Sequence, residues 1–495
     1  AGAALLAMPL RRNAAALRRL SIENAFIGPQ GMESIATALH RNTTLSRLRL
    51  RGNMVGNVGA TCLSSALEVN TTLRTLDIHG NNIGAHGFQA LADALQRNQT
   101  LQSLSVSGNH PTMLANDAVG ITAMARMIEK NTSLTWLSLF GINLNSEASV
   151  AIATALKSNG TLKSMILGNN PMGATGVAAV AEALADNTSL QEVNIAATTP
   201  DDAGTKALCA ALEKNTTLTR IDYGSNNLGD EMAAAVCAAG TRLQEMELAN
   251  NNITVAGCIE IGSILSNNPN WRTLKLTMNT GIDDGGAVHL ATALRSNTVL
   301  ASLSLNTCGI RSDGARLLAK SLFSSNITLQ QLDLDNNPFC NDQKRLLHLQ
   351  KIMRWNRTKR RVAVLFLKAA RIVFQILGAR LPRLVIDHIT CGFFAEKADA
   401  VDRLLNAGQR DRILTLASTR PCVSFRGRNE FLRYVFPDAC GADSIVESRH
   451  RSSGGSNVVG SSSGSRTANS AINLQAQATS TTTPTTTTAT TTTTT

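Results

Sequence analysis

Aromatic residues are scarce in this sequence. Phe, Trp and Tyr together make up 3% of its 495 residues, and only two of them are tyrosines. Leucine, alanine and asparagine are abundant instead. The composition therefore indicates a fold in which many small and similar side chains do the packing.

Paired cysteines and metal-ligand clusters are also missing. The nine cysteines are an odd number without CxxC spacing, and the eight histidines are scattered. We therefore expect no metal site, and buried free thiols at Cys62, Cys209 and Cys237 in alanine-rich helices. Free thiols favour a reducing compartment. Residues 4–8 are apolar but lack the basic segment that precedes a signal-peptide core, so we predict a cytoplasmic location, with the nucleus also open.

The residue sets that usually carry catalysis do not occur. We find no Ser/His/Asp constellation, no paired-carboxylate signature and no glycine loop that would cradle a phosphate. The recurring Gly-x-x-Gly pairs open many helices in turn, and one active site would not recur in that way. We therefore predict that the protein is not an enzyme and needs no cofactor.

A long run of uncharged apolar residues is absent as well. The most apolar stretch, 362–378, contains Lys368 and Arg371. Each cation costs about 2.5–3.5 kcal/mol at the middle of a bilayer, so no transmembrane span is predicted. We favour packing of this stretch within a small helical domain, while docking on a partner or surface contact with a membrane stays open.

One pattern recurs along most of the chain. Apolar residues at offsets 0, 3 and 5 predict a short strand, an asparagine at offset 8 predicts a turn, and two glycines followed by two leucines predict a helix. In one copy these residues are Leu73, Leu76, Ile78, Asn81, Gly84, Gly87, Leu91 and Leu95. Twelve copies begin near Leu17, Leu45, Leu73, Leu101, Leu134, Leu162, Leu190, Leu218, Leu243, Trp271, Leu300 and Leu329.

A single copy cannot cover its own apolar side, so neighbouring copies must stack into a parallel sheet with helices behind it. Paired strands lie about 4.8 Å apart, whereas packed helices need roughly 8–10 Å. The stack should therefore bend with the sheet on the inside. The predicted fold class is α/β, a curved repeat solenoid whose inner face is open for binding.

The repeated pattern LxxLxLxxNxIGxxGxxxLxxxLxxNxTL resembles the ribonuclease-inhibitor type of leucine-rich repeat over about residues 10–357. This type also occurs in Ran GTPase-activating proteins and in the sensor regions of immune receptors. The resemblance implies the fold and a protein partner; no functional residue of those families can be placed here. Leu381–Ile389 resembles the opening helix of F-box-like adaptor modules, which implies a link to ubiquitin ligases.

Composition divides the chain into four predicted parts. Residues 1–16 are the end of a preceding repeat or an N-terminal cap, and 17–357 form the solenoid. Residues 358–443 form a small helical domain, and 444–495 are a disordered tail rich in Ser, Gly and Thr. Two repeats are irregular: the one from Leu101 has an insertion at 109–116, and the one from Leu218 is short with a clipped helix.

Asn-x-Ser/Thr sequences precede most predicted strands. As glycosylation acceptors they would imply secretion. We favour a structural role within the repeat for the eight that recur at the same position, which are Asn42, Asn70, Asn98, Asn131, Asn159, Asn187, Asn215 and Asn326.

Offsets 1, 2, 4, 6 and 7 should place side chains on the concave face. This face begins basic, has apolar groups at its centre, continues acidic and then turns basic again. The predicted protein-binding residues are Arg47, Arg49, Arg51, Arg74, His79, Trp136, Phe140, Ile166, Asp222, Glu245, Glu247, Arg272 and Lys275. A second interpretation is that the charges are solvated and that Trp136 packs on Phe140.

The net charge of +12 and the pI of about 9.6 suggest nucleic acid as a partner. However, acidic residues interrupt the face along which a phosphate backbone would run, so nucleic acid is not favoured. We predict a protein-binding scaffold whose partner the sequence does not identify. The alternatives are a regulator of a small GTPase or an enzyme inhibitor, and a substrate-recognition adaptor of a ubiquitin ligase.

Overall fold

A computed structural model describes residues 2–13, 17–109, 118–324, 326 and 328–341. They all belong to the first of two compact units, Ala1–Ser424. The predicted helical domain at 358–443, the predicted tail at 444–495, the adaptor-like sequence Leu381–Ile389 and most of the insertion at 109–116 lie outside the described residues. The four predicted domain boundaries remain predictions.

Helices and strands alternate throughout the described part. The helices are α1 Gly2–Arg11, α2 Gly28–Leu39, α3 Gly56–Val69, α4 Ala85–Arg97, α5 Ala118–Lys130, α6 Ser146–Ser158, α7 Gly173–Asp186, α8 Asp202–Lys214, α9 Gly229–Ala239, α10 Val255–Asn267, α11 Asp283–Ser296 and α12 Ser312–Ser324. The strands are β1 Arg19–Ser21, β2 Arg47–Arg49, β3 Thr75–Asp77, β4 Ser103–Ser105, β5 Trp136–Ser138, β6 Ser164–Ile166, β7 Glu192–Asn194, β8 Arg220–Asp222, β9 Glu245–Glu247, β10 Thr273–Lys275, β11 Ser302–Ser304 and β12 Gln331–Asp333. A 3₁₀ turn, Pro338–Asn341, follows β12.

The strands form one parallel sheet in chain order, from β1 to β12. Equivalent residues pair between neighbours, so that Leu48 is level with Leu76 and Leu76 with Leu104. Each pairing thus advances the chain by one repeat. The predicted solenoid of parallel strands and alternating helices is confirmed.

The apolar positions of the pattern form one continuous core. Leu73, Leu76 and Ile78 of β3 are buried, as are Leu91 and Leu95 of α4. Each strand is only three residues long, and its central residue points towards the helices while the residues on either side point away. Helices pack mainly on the next helix in the chain, so the core is built from contacts between neighbouring repeats.

Asparagines at offset 8 link neighbouring repeats at the ends of the strands. Asn81 is fully buried; its Nδ2 donates to the carbonyl of Leu50 at 2.8 Å and to that of His79 at 3.0 Å. Its Oδ1 accepts from the Asn53 N–H at 3.0 Å. Because one amide joins two repeats, the residue does more than turn its own chain. The others of this set are Asn53, Asn109, Asn170, Asn226, Asn251, Asn279 and Asn337.

A second set of asparagines links the repeats at the other ends of the strands. Asn98 Nδ2 donates to the carbonyl of Leu67 at 2.6 Å, and its Oδ1 accepts from the Leu101 N–H at 2.8 Å. The eight asparagines of the recurring Asn-x-Ser/Thr sequences all occupy this position, and each is at most 6% exposed. Their amides are engaged in structural hydrogen bonds, which is the role predicted for them.

Two large aromatic residues fill the core beside the short repeat that begins near Leu218. Helix α9 has 11 residues, whereas α7 has 14. The clipped helix predicted for the repeat from Leu218 is therefore present. Trp271 occupies the position that leucine holds in most other repeats, and its Nε1 donates to the Gly240 carbonyl at 2.9 Å just after α9. Tyr223 is also fully buried, with its hydroxyl 3.0 Å from that of Thr205. The rings fill the space and satisfy the backbone where the helix is too short.

The six cysteines within the described ranges are free thiols. Cys237 is buried as predicted, but Cys62 and Cys209 are only half-buried because they lie at the edge of the helical layer. Burial raises the pKa of the Cys258 thiol to about 12. The described residues contain no group of metal-ligating side chains and no helix with the length and apolarity to span a bilayer.

Candidate functional site

The sheet face turned away from the helices, here named the strand face, has aligned rows of side chains. In one row, parallel pairing places Arg47 level with Thr75, Thr75 with Ser103, and Ser103 with Trp136. The next row contains Arg49, Asp77, Ser105 and Ser138. Side chains far apart in the sequence are therefore immediate neighbours on this face.

A depression of about 420 Å³ lies across strands β2 to β5. Its form follows from side-chain size, because the small Thr75 and Ser103 separate the long Arg47 from the indole of Trp136. Three strand spacings of about 4.8 Å place these two walls roughly 14 Å apart. The residues that line it are Arg47, Arg49, Arg51, Thr75, Leu76, Asp77, Ser103, Ser105 and Trp136.

Charge within the depression is unbalanced. Arg51 Nε is 2.6 Å from Asp77 Oδ2, and Asp77 is nearly buried, so this pair is internally satisfied. Neither Arg47 nor Arg49 forms an ion pair with a carboxylate of the described residues. Arg19 of β1 is level with Arg47, which adds a third cation beside them. The depression therefore offers two guanidinium groups to an external anion.

Polar groups surround the Trp136 wall. The hydroxyls of Ser107 and Ser138 are 2.7 Å apart, and that of Ser105 is 3.2 Å from Ser107. Ser164, level with Trp136 on the opposite side from the depression, is 7% exposed and its hydroxyl has no hydrogen-bond partner among the described residues. The Ser164 hydroxyl is buried beside Trp136 rather than presented on the surface.

Other predicted residues lie elsewhere on the face. Phe140 is 38% exposed and its ring packs over Gly168, 3.3 Å from where a side-chain carbon would stand. His79 lies against Gly108, and Arg74 donates to the Thr100 carbonyl at 3.1 Å. None of these three residues lines the depression, and neither does Ile166. Trp136 is thus grouped with the arginines rather than with Phe140.

The predicted acidic stretch has its own cations. Lys275 Nζ is 2.7 Å from Glu247 Oε2, and Arg220 lies between Glu245 and Glu192. The predicted set does not include Arg220, although this residue occupies offset 2 of its repeat and the pattern alone is enough to find it. Arg272 is exposed immediately before β10. This part of the face is a network of paired charges rather than a free acidic surface.

Asp222 is the perturbed group of this network. Burial, together with the charge of Glu247, raises the pKa of its carboxyl to about 6 against the opposing effects of the Gly224 N–H, Lys275 and Arg220. Asn194 Nδ2 donates to the same carboxylate. The arrangement holds a charge in a partly buried position without offering it to a partner.

A family model described as Leucine Rich repeat matches residues 41–64, 69–92 and 214–237. Each match covers one strand and the first part of the helix after it: β2 with α3, β3 with α4, and β8 with α9. This is a leucine-rich-repeat fold. The sheet, the buried leucines and the asparagine sets of the described residues extend the same leucine-rich repeat from β1 to β12.

Three solved structures have partial similarity to this chain. Leiomodin-1 actin-binding site 2 is 20% identical with a TM-score of 0.28, covering 31% of this chain and 86% of that one. The C-terminal domain of Caenorhabditis elegans tropomodulin is 19% identical with a TM-score of 0.28, covering 32% and 93%. The Rad7 and Elc1 complex of yeast gives 13% identity and a TM-score of 0.38, covering 66% and 86%. These TM-scores are too low to carry any functional argument. No curated protein matches this leucine-rich-repeat sequence significantly.

Proposed function

We propose that this protein is a non-enzymatic scaffold that recognises a protein partner through the strand face of its leucine-rich repeats. The observation that carries the proposal is the depression between Arg47 and Trp136, in which a partly exposed indole is level with small polar residues. Large aromatic side chains next to shallow depressions are common anchors of protein interfaces. We place this activity in the cytoplasm, with the nucleus as the second location.

Two finer roles remain predictions. A regulator of a small GTPase, or an enzyme inhibitor, would use the same face, and a nucleotide-hydrolysis assay with candidate GTPases distinguishes it from a passive scaffold. A ubiquitin-ligase adaptor would depend on Leu381–Ile389, so ligase subunits should be recovered only when that segment is intact. The ribonuclease-inhibitor subtype of the repeats is likewise a prediction.

Changing Trp136→Ala together with Phe140→Ala tests the proposal. We expect the double variant to lose capture of a protein partner from native lysate by at least about tenfold, because a truncated aromatic anchor commonly costs about 2 kcal/mol or more. Both side chains are on the surface of the sheet, so the thermal unfolding midpoint should change little. Quantitative affinity capture with the full chain provides the measurement.

The matched control is Ile259→Ala with Val288→Ala, which removes exposed apolar side chains from helices α10 and α11. Its capture should equal that of the unaltered chain. Because Phe140 lies outside the depression, Trp136→Ala alone should account for most of the loss. Equal capture by the double variant and the unaltered chain would remove the strand face as the binding surface.

A further inference from the structure

We infer that the depression is a subsite for an acidic protein segment, in which partner carboxylates pair with Arg47 and Arg49 while an apolar partner side chain packs on Trp136. The inference rests on the proposed function and names the chemistry of the partner at that surface. It follows from three observations: the charges that lack partners, their alignment with Trp136, and the composition of the floor between them.

Charge is the first observation. Arg19 and Arg47 occupy level positions on adjacent strands, and Arg49 is two residues along from Arg47. Like charges side by side on a sheet repel one another and destabilise it. Two carboxylates of the described residues lie near these cations. Arg51 already binds Asp77 at 2.6 Å, and Glu23 accepts from the hydroxyl of Ser21, the residue level with Arg49, at 2.9 Å without forming an ion pair with an arginine. An external anion would relieve the repulsion that the fold leaves in place.

Guanidinium groups also favour a particular kind of anion. Arginine presents donors in a planar fork that matches the two oxygens of a carboxylate, and it keeps its charge throughout the physiological range. Phosphate fits the same fork. However, along the row beyond Trp136 the next charged group is the carboxylate of Glu192, so a long phosphate backbone would meet repulsion after a few strands. A short acidic stretch followed by an apolar residue fits the row better.

Geometry sets the spacing in the partner. Arg47 and Trp136 are separated by three strand spacings, roughly 14 Å. An extended peptide rises about 3.4 Å per residue, so one that crosses the strands would place its acidic and apolar residues about four positions apart. Between them, Thr75 and Ser103 leave room for the peptide backbone and can hydrogen-bond to it. A partner segment with this spacing would contact both walls at once.

The test uses the full chain and a short fluorescent peptide with consecutive glutamates and, four positions on, one leucine. Fluorescence anisotropy at low and at moderate salt measures its binding. We expect binding that salt weakens, and a loss of about tenfold or more in the Arg47→Gln, Arg49→Gln double variant. Arg47→Lys with Arg49→Lys keeps the charge and should recover part of the affinity. The matched control, Arg126→Gln with Arg295→Gln on helices α5 and α11, should bind as the unaltered chain does.

Three results would overturn the inference. The first is equal binding of a peptide in which glutamine replaces glutamate, and the second is an unchanged affinity in the Arg47→Gln, Arg49→Gln variant. The third is tighter binding of single-stranded DNA than of the acidic peptide, which would assign the arginines to phosphate.

Capture from lysate separates this inference from the proposed function. Loss of the captured protein in the Trp136→Ala, Phe140→Ala variant but not in the arginine variant would keep the strand face and reject the acidic segment. If both variants captured as much of the protein as the unaltered chain does, both proposals would be rejected. Loss in both, together with binding of the acidic peptide, would support both.

Discussion

At the scale of single residues, buried asparagine is the side chain on which this fold depends most. Each one donates to a carbonyl of the preceding repeat and accepts from backbone N–H groups, as Asn98 does with the Leu67 carbonyl and the Leu101 N–H. The short amide can serve several backbone groups at once in a place that water does not reach. Removing it would leave buried backbone groups unpaired.

Changing Asn98→Ala should therefore lower the free energy of unfolding by roughly 2–4 kcal/mol, because buried donors and acceptors lose their partners. Urea denaturation followed by circular dichroism would measure the loss. Asn267→Ala, at the exposed end of α10, is the matched control and should change stability by less than about 0.5 kcal/mol. Similar losses in both variants would contradict the structural role given to the buried amide.

Asp222 makes stability depend on pH. The pKa of Asp222 rises from an ordinary 3.8 to about 6 in the folded protein. At a pH between these two values, the folded state therefore holds a proton that the unfolded state has released. The contribution of this group to stability therefore falls as pH rises from about 4 to about 6 and is constant above that.

Changing Asp222→Asn removes this pH-dependent contribution. The free energy of unfolding of the unaltered chain should fall relative to that of the variant by on the order of 1–3 kcal/mol between pH about 4 and about 7. Urea denaturation at both pH values measures the difference. Glu129→Gln on helix α5 is the control for loss of one carboxylate, and an equal effect there would contradict the burial argument.

At the scale of elements, the short repeat shows how one irregular helix is compensated. Helix α9 ends early at Ala239, and the Gly240 carbonyl that follows is bound by the indole of Trp271 instead of by an asparagine. Tyr223, in the same repeat, adds a second ring to the core. A substitution that suits a regular repeat should therefore be harmful here.

Changing Trp271→Leu introduces the residue that most other repeats carry at this position. We nevertheless expect a loss of about 2–4 kcal/mol in the free energy of unfolding, because the smaller side chain leaves a cavity and the Gly240 carbonyl loses the indole donor and keeps only the Leu243 N–H at 3.1 Å. Met165→Leu in β6, an equally buried change towards the repeat pattern, should cost less than about 1.5 kcal/mol. If the two variants had the same denaturation midpoint, the ring of Trp271 would not compensate for the short helix.

At the scale of the whole described unit, stacking converts the repeat pattern into an ordered surface. Equivalent positions become level neighbours, so a row of the strand face is obtained by reading one offset from every repeat. Because each repeat contacts mainly its neighbours, stability is spread along the stack and the exposed rows are free to vary. The depression arises where two small residues happen to fall between two large ones.

The sequence by itself determined the strands, the helices, the buried leucines, the structural asparagines and the clipped helix, because each depends on a spacing that one repeat contains. Only the tertiary structure decided that Arg51 is paired with Asp77 whereas Arg47 and Arg49 have no such carboxylate, and that Arg220 and Lys275 balance the acidic stretch. It also grouped Trp136 with the arginines and placed Phe140 over Gly168. Those relations join residues of different repeats, and their energies depend on side-chain contacts that a periodic pattern does not specify.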